Sequence, residues 1–197
     1  MNLHRVKAGE ACPTVSSMMN AWSHPAALSD EQLLAQCDFS QGRASGPGGQ
    51  HRNKVETKVT LLHRPTGISA QASERRSMIE NKRMALRRLR LRLAVEHRCP
   101  VPPGEIGSAL WKSRRQVGRD AQGRASGRIV CNPDHHDYPA LLAEALDVID
   151  AAGGDIHKAA TRLEVTASQL VKLIKDHPPA LVKMNMERAA RGEHPLR

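Results

Sequence analysis

Seven consecutive residues, Ser45-Gly46-Pro47-Gly48-Gly49-Gln50-His51, hold the strongest chemical signal in this 197-residue chain. Three glycines and a proline in so short a stretch exclude a helix or strand interior and mark a loop. Such a loop brings backbone to places where side chains would block the approach. Gln50, at its tip, adds a donor and an acceptor without charge. No Ser-His-Asp or Cys-His set has the spacing of a nucleophilic site, and His51 is the one titratable group beside the tip that could act as a base.

The triplet Gly48-Gly49-Gln50 is short, but its surroundings extend it. Asn53-Lys54, Thr57, His63-Arg64-Pro65-Thr66-Gly67-Ile68, Arg76-Ser77 and Asn81-Lys82-Arg83 continue one pattern. From Cys37 to Leu93 the chain resembles the catalytic domain of bacterial-type peptide chain release factors and their stand-alone ribosome-rescue relatives. Two positions depart from it: Met78 follows Arg-Ser where many relatives carry Gln, and Arg52 replaces a commonly apolar residue.

The resemblance implies hydrolysis of the peptidyl-tRNA ester inside the ribosomal peptidyl-transferase centre, with Gly48, Gly49 and Gln50 as the catalytic tip. A narrow cavity walled by RNA admits a thin, neutral probe. Gly48 and Gly49 permit positive φ, where alanine costs about 1–2 kcal/mol. By the same resemblance, the Gln50 backbone N–H donates to charge developing on the leaving group or oxyanion, and its side chain helps to place the water. Arg43, His51, Arg52, Lys54 and Lys58 flank the tip as contacts to RNA phosphates. Arg83, Arg87 and Arg88 make a second contact to large-subunit ribosomal RNA. The expected partners are the ribosome and peptidyl-tRNA, with no cofactor.

Charge distribution points to the same partner class. The net charge is +10. Residues 1–40 carry 2 basic and 4 acidic side chains, residues 41–99 carry 14 and 4, residues 100–138 carry 6 and 4, and residues 139–197 carry 8 and 8. The excess sits around the glycine loop, as a polyanion-binding segment requires. Trp22, Phe39, Trp111 and Tyr138 are the only aromatic side chains, which speaks against single-strand binding by base stacking. Cys12, Cys37, Cys99 and Cys131 lack disulfide or zinc spacing and read as reduced, cytoplasmic thiols. His135-His136-Asp137 is a weak metal candidate, since adjacent histidines point to opposite sides of regular structure, and no metal is expected. No apolar run spans a membrane or makes a signal core, and the expectation is a cytoplasmic monomer.

The fold class expected is α+β: a small antiparallel sheet with a packed basic helix, followed by an all-α, helix-turn-helix-like region. Residues 1–28 read as an irregular leader and 29–99 as the catalytic domain. Residues 100–138 read as a flexible basic connector, with Trp111 as an anchor, and 139–197 as a small helical domain. Ser29 and Gln32 form a capping box for a helix running to Cys37, ahead of a strand over about Cys37–Ser40. Alternation at Val55, Thr57, Val59 and Leu61, a turn at Pro65-Thr66-Gly67, and Ile68, Ala70 and Ala72 predict a hairpin over 54–73. A helix follows from Glu74 to Val95, its stripe made by Met78, Ala85, Leu86, Leu89 and Leu93.

Beyond Pro139, Leu141, Leu142, Ala145, Leu146 and Ile149 predict an amphipathic helix closed by Gly153-Gly154. Asp155 and Thr166 cap two more helices in a pattern similar to Fis-type DNA-binding helix-turn-helices. The face Ser168, Gln169, Lys172 and Lys175 offers only two cations to a groove. No segment resembles a codon-reading domain or a disordered lysine- and arginine-rich tail, so the expected activity is codon-independent rescue of stalled ribosomes. The alternatives are a non-catalytic ribosome- or RNA-binding factor and a helix-turn-helix DNA-binding regulator.

Overall fold

The computed structural model describes residues 22–43, 57–102, 107–118, 122 and 126–197. Gly48, Gly49, Gln50, His51, Arg52 and Lys54 lie outside the described residues, as do 1–21 of the leader and Val55 of the hairpin.

A 3-10 turn over Pro25–Ala27 leads to α1, Asp30–Ala35. The Ser29 hydroxyl accepts from Gln32 N–H at 3.2 Å, and Gln32 Oε1 accepts from Ser29 N–H at 3.2 Å, so both halves of the capping box are present. The helix ends two residues before the expected Cys37 because Cys37 opens β1, Cys37–Gly42. β1 pairs antiparallel with β2, Lys58–His63, which pairs antiparallel with β3, Ser69–Ala72, in the order β1-β2-β3. The inward register of β2, Val59 and Leu61, has no exposed surface, and Ala70 and Ala72 continue that face on β3. Gly67 turns the hairpin at φ +69°, a conformation glycine adopts without strain.

Helix α2, Met78–Glu96, lies across β2 and β3. It starts four residues later than the apolar spacing predicts, because Ser77 is extended and caps it. Ala85, Leu86, Leu89 and Leu93 form the buried stripe, whereas Met78 is 38% exposed and its sulfur accepts from Gln41 Nε2.

The described part of 100–138 holds more order than a flexible connector. It contains α3, Ala109–Arg114, and a two-stranded ribbon of β4, Arg115–Gln116, and β5, Arg128–Ile129. Trp111 is the expected anchor: it is buried and its indole N–H donates to Leu163 O at 3.1 Å.

Helix α4, Tyr138–Ala151, is buried on every side over residues 138–149, where an amphipathic stripe was expected. α2 and the 3-10 turn cover one side of it, and α5, Ile156–Arg162, and α6, Ala167–Lys175, pack against it as well. Its two buried carboxylates are tolerated because donors reach them. Glu144 accepts from Ser108 N–H and Oγ–H, and Asp147 accepts from Trp22 Nε1–H and Cys99 N–H. Asp155 and Thr166 cap α5 and α6 as predicted. A last helix, α7, spans Pro178–Ala190, with prolines in its first turn where no N–H is missed. The result is a mixed α+β structure with small antiparallel sheets.

Candidate functional site

The described residues frame the segment that carries Gly48-Gly49-Gln50. Gly42 and Lys58 face each other as the last register pair of β1 and β2, so the chain leaves and re-enters the sheet at one point. A β-carbon on Gly42 would lie 4.0 Å from Lys58 Cδ. Thr57, one residue before β2, is held by Asn81, whose Nδ2 donates to Thr57 O at 2.6 Å. The same nitrogen donates to Arg75 O at 2.9 Å, and Oδ1 accepts from Arg75 N–H at 2.9 Å. Asn81 has no exposed surface. It therefore locks the first turn of α2 to Thr57, where the described chain resumes ahead of β2.

The opposite end of the hairpin is fixed by a second polar group. His63 is buried next to the inward residues of β2. Its Nε2 is 2.9 Å from Gln36 Oε1 and its Nδ1 is 2.8 Å from Thr66 Oγ1. Gln36 Oε1 can only accept, so the ring proton sits on Nε2 and Nδ1 accepts from the Thr66 hydroxyl, whose oxygen also accepts from Ile68 N–H. Burial, with His97 and Arg64 nearby, lowers the His63 pKa and keeps the ring neutral. The alternation that places Val59 and Leu61 inside also places His63 there, and that was the signal that could have found it.

The expected RNA contacts differ in their surroundings. Lys58 stands at the loop base, and Arg43 precedes the loop on an exposed stretch. Arg83 is exposed on α2. Arg87 donates to Pro133 O at 3.1 Å and pairs with Asp134 at 2.6 Å. Arg88 donates to Gln71 O at 2.8 Å and pairs with Glu74 at 2.8 Å, which holds Glu74 below the ordinary carboxylate range. Arg90 similarly reaches Ala26 O at 2.7 Å and Asp30 at 2.7 Å, and Arg92 reaches Ser69 O. Much of the basic charge on α2 thus cross-links the fold by closing carbonyls of the edge strand and the N-terminal turn.

Two clusters bring possible metal donors together. His135, His136 and Asp137 do converge, because they lie in a turn rather than in regular structure, and the two rings are 4.2 Å apart. Arg114 occupies the group: it pairs with Asp137 at 2.5 Å and contacts His135 Nε2 at 3.2 Å. The second cluster is His24, Cys99 and Asp147. His24 Nδ1 accepts from Ala26 N–H at 3.0 Å, so the neutral ring carries its proton on the buried Nε2. Burial pushes the Cys99 thiol up to about 11, which keeps it protonated. The lone pair of the ring is thus taken by Ala26 N–H and the thiol keeps its proton, so each donor is already engaged.

Helix α6 exposes Ser168, Lys172 and Lys175 beside a groove of about 910 Å³ that Asp155, Asp176 and Glu193 also line. The mixed charge of this wall is a weak match to a phosphate backbone.

Residues 34–122 match the RF-1 domain. Peptide chain release factor 1 of Acidiphilium cryptum is 34% identical over 116 residues, 55% of this chain and 33% of that protein. The chloroplastic peptide chain release factor PrfB1 of Arabidopsis thaliana is 50% identical over 58 residues, 29% of this chain and 13% of that protein. The mitochondrial peptide chain release factor 1-like protein of Mus musculus is 44% identical over 55 residues, 28% of this chain and 15% of that protein. The chain thus spans about a third or less of the length of these curated relatives. Residues 34–122, which contain the Gly-Gly-Gln triplet and the elements on either side of its segment, thus form an RF-1 domain of the peptide chain release factor family.

Proposed function

We propose that this protein hydrolyses the ester between a nascent peptide and its tRNA in the ribosomal peptidyl-transferase centre, and does so on stalled ribosomes without reading a stop codon. The observation that supports the reading is that Gly48-Gly49-Gln50 falls within the RF-1 domain match, in a segment flanked by the Gly42–Lys58 register pair and by Thr57, which Asn81 holds.

Gly48 and Gly49 would let backbone approach the ester closely, and the Gln50 N–H would donate to the charge that develops there. The Gln50 side chain would position the attacking water. Catalysis of this kind is positioning plus electrostatic stabilisation, with the ribosomal RNA forming the rest of the site. Arg43, Lys58 and Arg83 would meet phosphates of the large-subunit RNA, with His51, Arg52 and Lys54 beside the tip. The working place is the cytoplasm, where the ribosomes are, and the working form is a monomer.

The test is release of labelled peptide from purified ribosomes stalled on a message without a stop codon. Gln50→Ala keeps the backbone donor, whereas Gly49→Ala displaces it. Gly49→Ala is expected to lower the rate by roughly 10²-fold or more and at least as much as Gln50→Ala. Equal release by wild type and Gly49→Ala contradicts the mechanism. Tight ribosome binding with no release by any form would make the protein a non-catalytic factor.

A further inference from the structure

Phe39 is the only phenylalanine in the chain, and 43% of its surface is exposed. It shares the helix-facing register of β1 with Cys37 and Gln41, but α2 crosses β2 and β3 and meets this edge strand through Met78 and Lys82, which leaves the ring partly exposed. Three side chains at the start of α2 stand on this side of the sheet. Lys82 Nζ stands 5.7 Å from its centroid. Met78, 38% exposed, is tied to Gln41 through its sulfur. Ile79 beside it is 62% exposed. Gln41 adjoins Gly42, so this apolar ground lies directly beside the loop base.

The charge around it is one-sided. Lys82 stands over the ring, and Lys58 faces Gly42 across the sheet. Of the carboxylates nearby, Asp38 pairs with Arg64 and Glu74 with Arg88, leaving Glu80. An exposed ring with a flexible cation above it suits a nucleobase with its phosphate: the base takes the place of Lys82 on the ring, and the ammonium turns to the phosphate. A purely apolar partner would leave Lys82 without a counter-charge.

We propose that Phe39, Met78 and Lys82 form a seat for one unpaired RNA nucleotide beside the loop base, with the base stacked on Phe39. The scarcity of aromatic residues argues against stacking along a strand, but a single seat needs one ring. The proposal rests on the reading that RNA is the partner, and its role is positioning rather than chemistry.

The test uses the full chain, a short fluorescein-labelled single-stranded RNA and stalled ribosomes. Phe39→Leu keeps apolar volume and removes the π-face. It is expected to weaken binding to both probes by roughly 5- to 100-fold, with release at saturating protein unchanged, and Phe39→Trp is expected to restore affinity. Lys82→Met is expected to reduce the slope of log affinity against log salt by about 1. Wild-type binding by Phe39→Leu to both probes overturns the seat. Loss of ribosome binding with wild-type RNA binding also overturns it and assigns the patch to a ribosomal protein. Absence of peptide release by the wild type, alongside RNA binding sensitive to Phe39, overturns the hydrolase reading and leaves the seat standing.

Discussion

Asn81 joins two segments that the chain separates. Its amide serves two carbonyls and one N–H with no exposed surface, so each partner depends on it. Asn81→Ala leaves buried polar groups unpaired and is expected to cost about 2–3 kcal/mol in urea unfolding. Asn81→Asp keeps an acceptor for Arg75 N–H but faces Thr57 O and Arg75 O with oxygen, and is expected to be worse. Both variants should also slow peptide release, since Thr57 ends the loop. The position of Asn81 could be read from the motif pattern. Its bonding could not, because sequence does not say which carbonyls a helix start will face. His63 was missed for a different reason: a histidine beside a hairpin turn reads as a surface residue unless strand alternation is given precedence.

At the scale of elements, local signals were read well and tertiary packing was not. The capping box at Ser29, the caps at Asp155 and Thr166, and the inward pair Val59 and Leu61 stand where their spacing put them. α4 defeated the periodicity because Glu144 and Asp147 mimic a polar face while accepting hydrogen bonds from distant segments. The ribbon of β4 and β5 is too short to show alternation, and its order comes from contact with the turn between α5 and α6. Thr166 N–H donates to Gly127 O at 3.1 Å, Arg115 pairs with Glu164, and Glu164 itself adopts φ +53°. A β-carbon on Gly127 would lie 2.3 Å from Glu164 O, a backbone atom that cannot swing away. Gly127→Ala is therefore expected to lower stability by about 1–3 kcal/mol. Gly153→Ala, where φ is +69° with open space around it, is expected to cost less, about 1–2 kcal/mol. Thermal unfolding of the two variants checks the order.

Across the whole molecule, one buried polar cluster ties the N-terminal turn, the exit of α2 and α4 together, and its two shifted groups respond to acid in opposite directions. Burial lowers the His24 pKa to about 4, although the His97 backbone opposes it. Burial raises Asp147 to about 6 against the hydrogen bonds from Trp22 and Cys99. As pH falls from 6.5 to 4, the unfolded chain protonates His24 before the fold does, and stability is lost. Over about pH 6 to 4 the fold protonates Asp147 before the unfolded chain does, and stability is gained. The two contributions nearly cancel in the wild type. Asp147→Asn removes the gain and is expected to lose ~2–3 kcal/mol between pH 6.5 and 4. His24→Gln removes the loss and is expected to become more stable over the same range. Urea midpoints measured from pH 7 to 4 test both.

The charge layout also belongs to this scale. The basic excess of residues 41–99 is divided between arginines that brace the fold and cations left around the loop base. The central claim is that this frame delivers a Gly-Gly-Gln tip to the peptidyl-tRNA ester irrespective of the codon. The most direct measurement compares peptide release by the wild-type protein from two ribosomal complexes, one stalled on a truncated message and one programmed with a stop codon, with Gly49→Ala as the control. Release from the truncated complex that Gly49→Ala abolishes is the expected result. Release from the stop-codon complex alone would contradict codon independence, and release from neither would contradict hydrolysis itself.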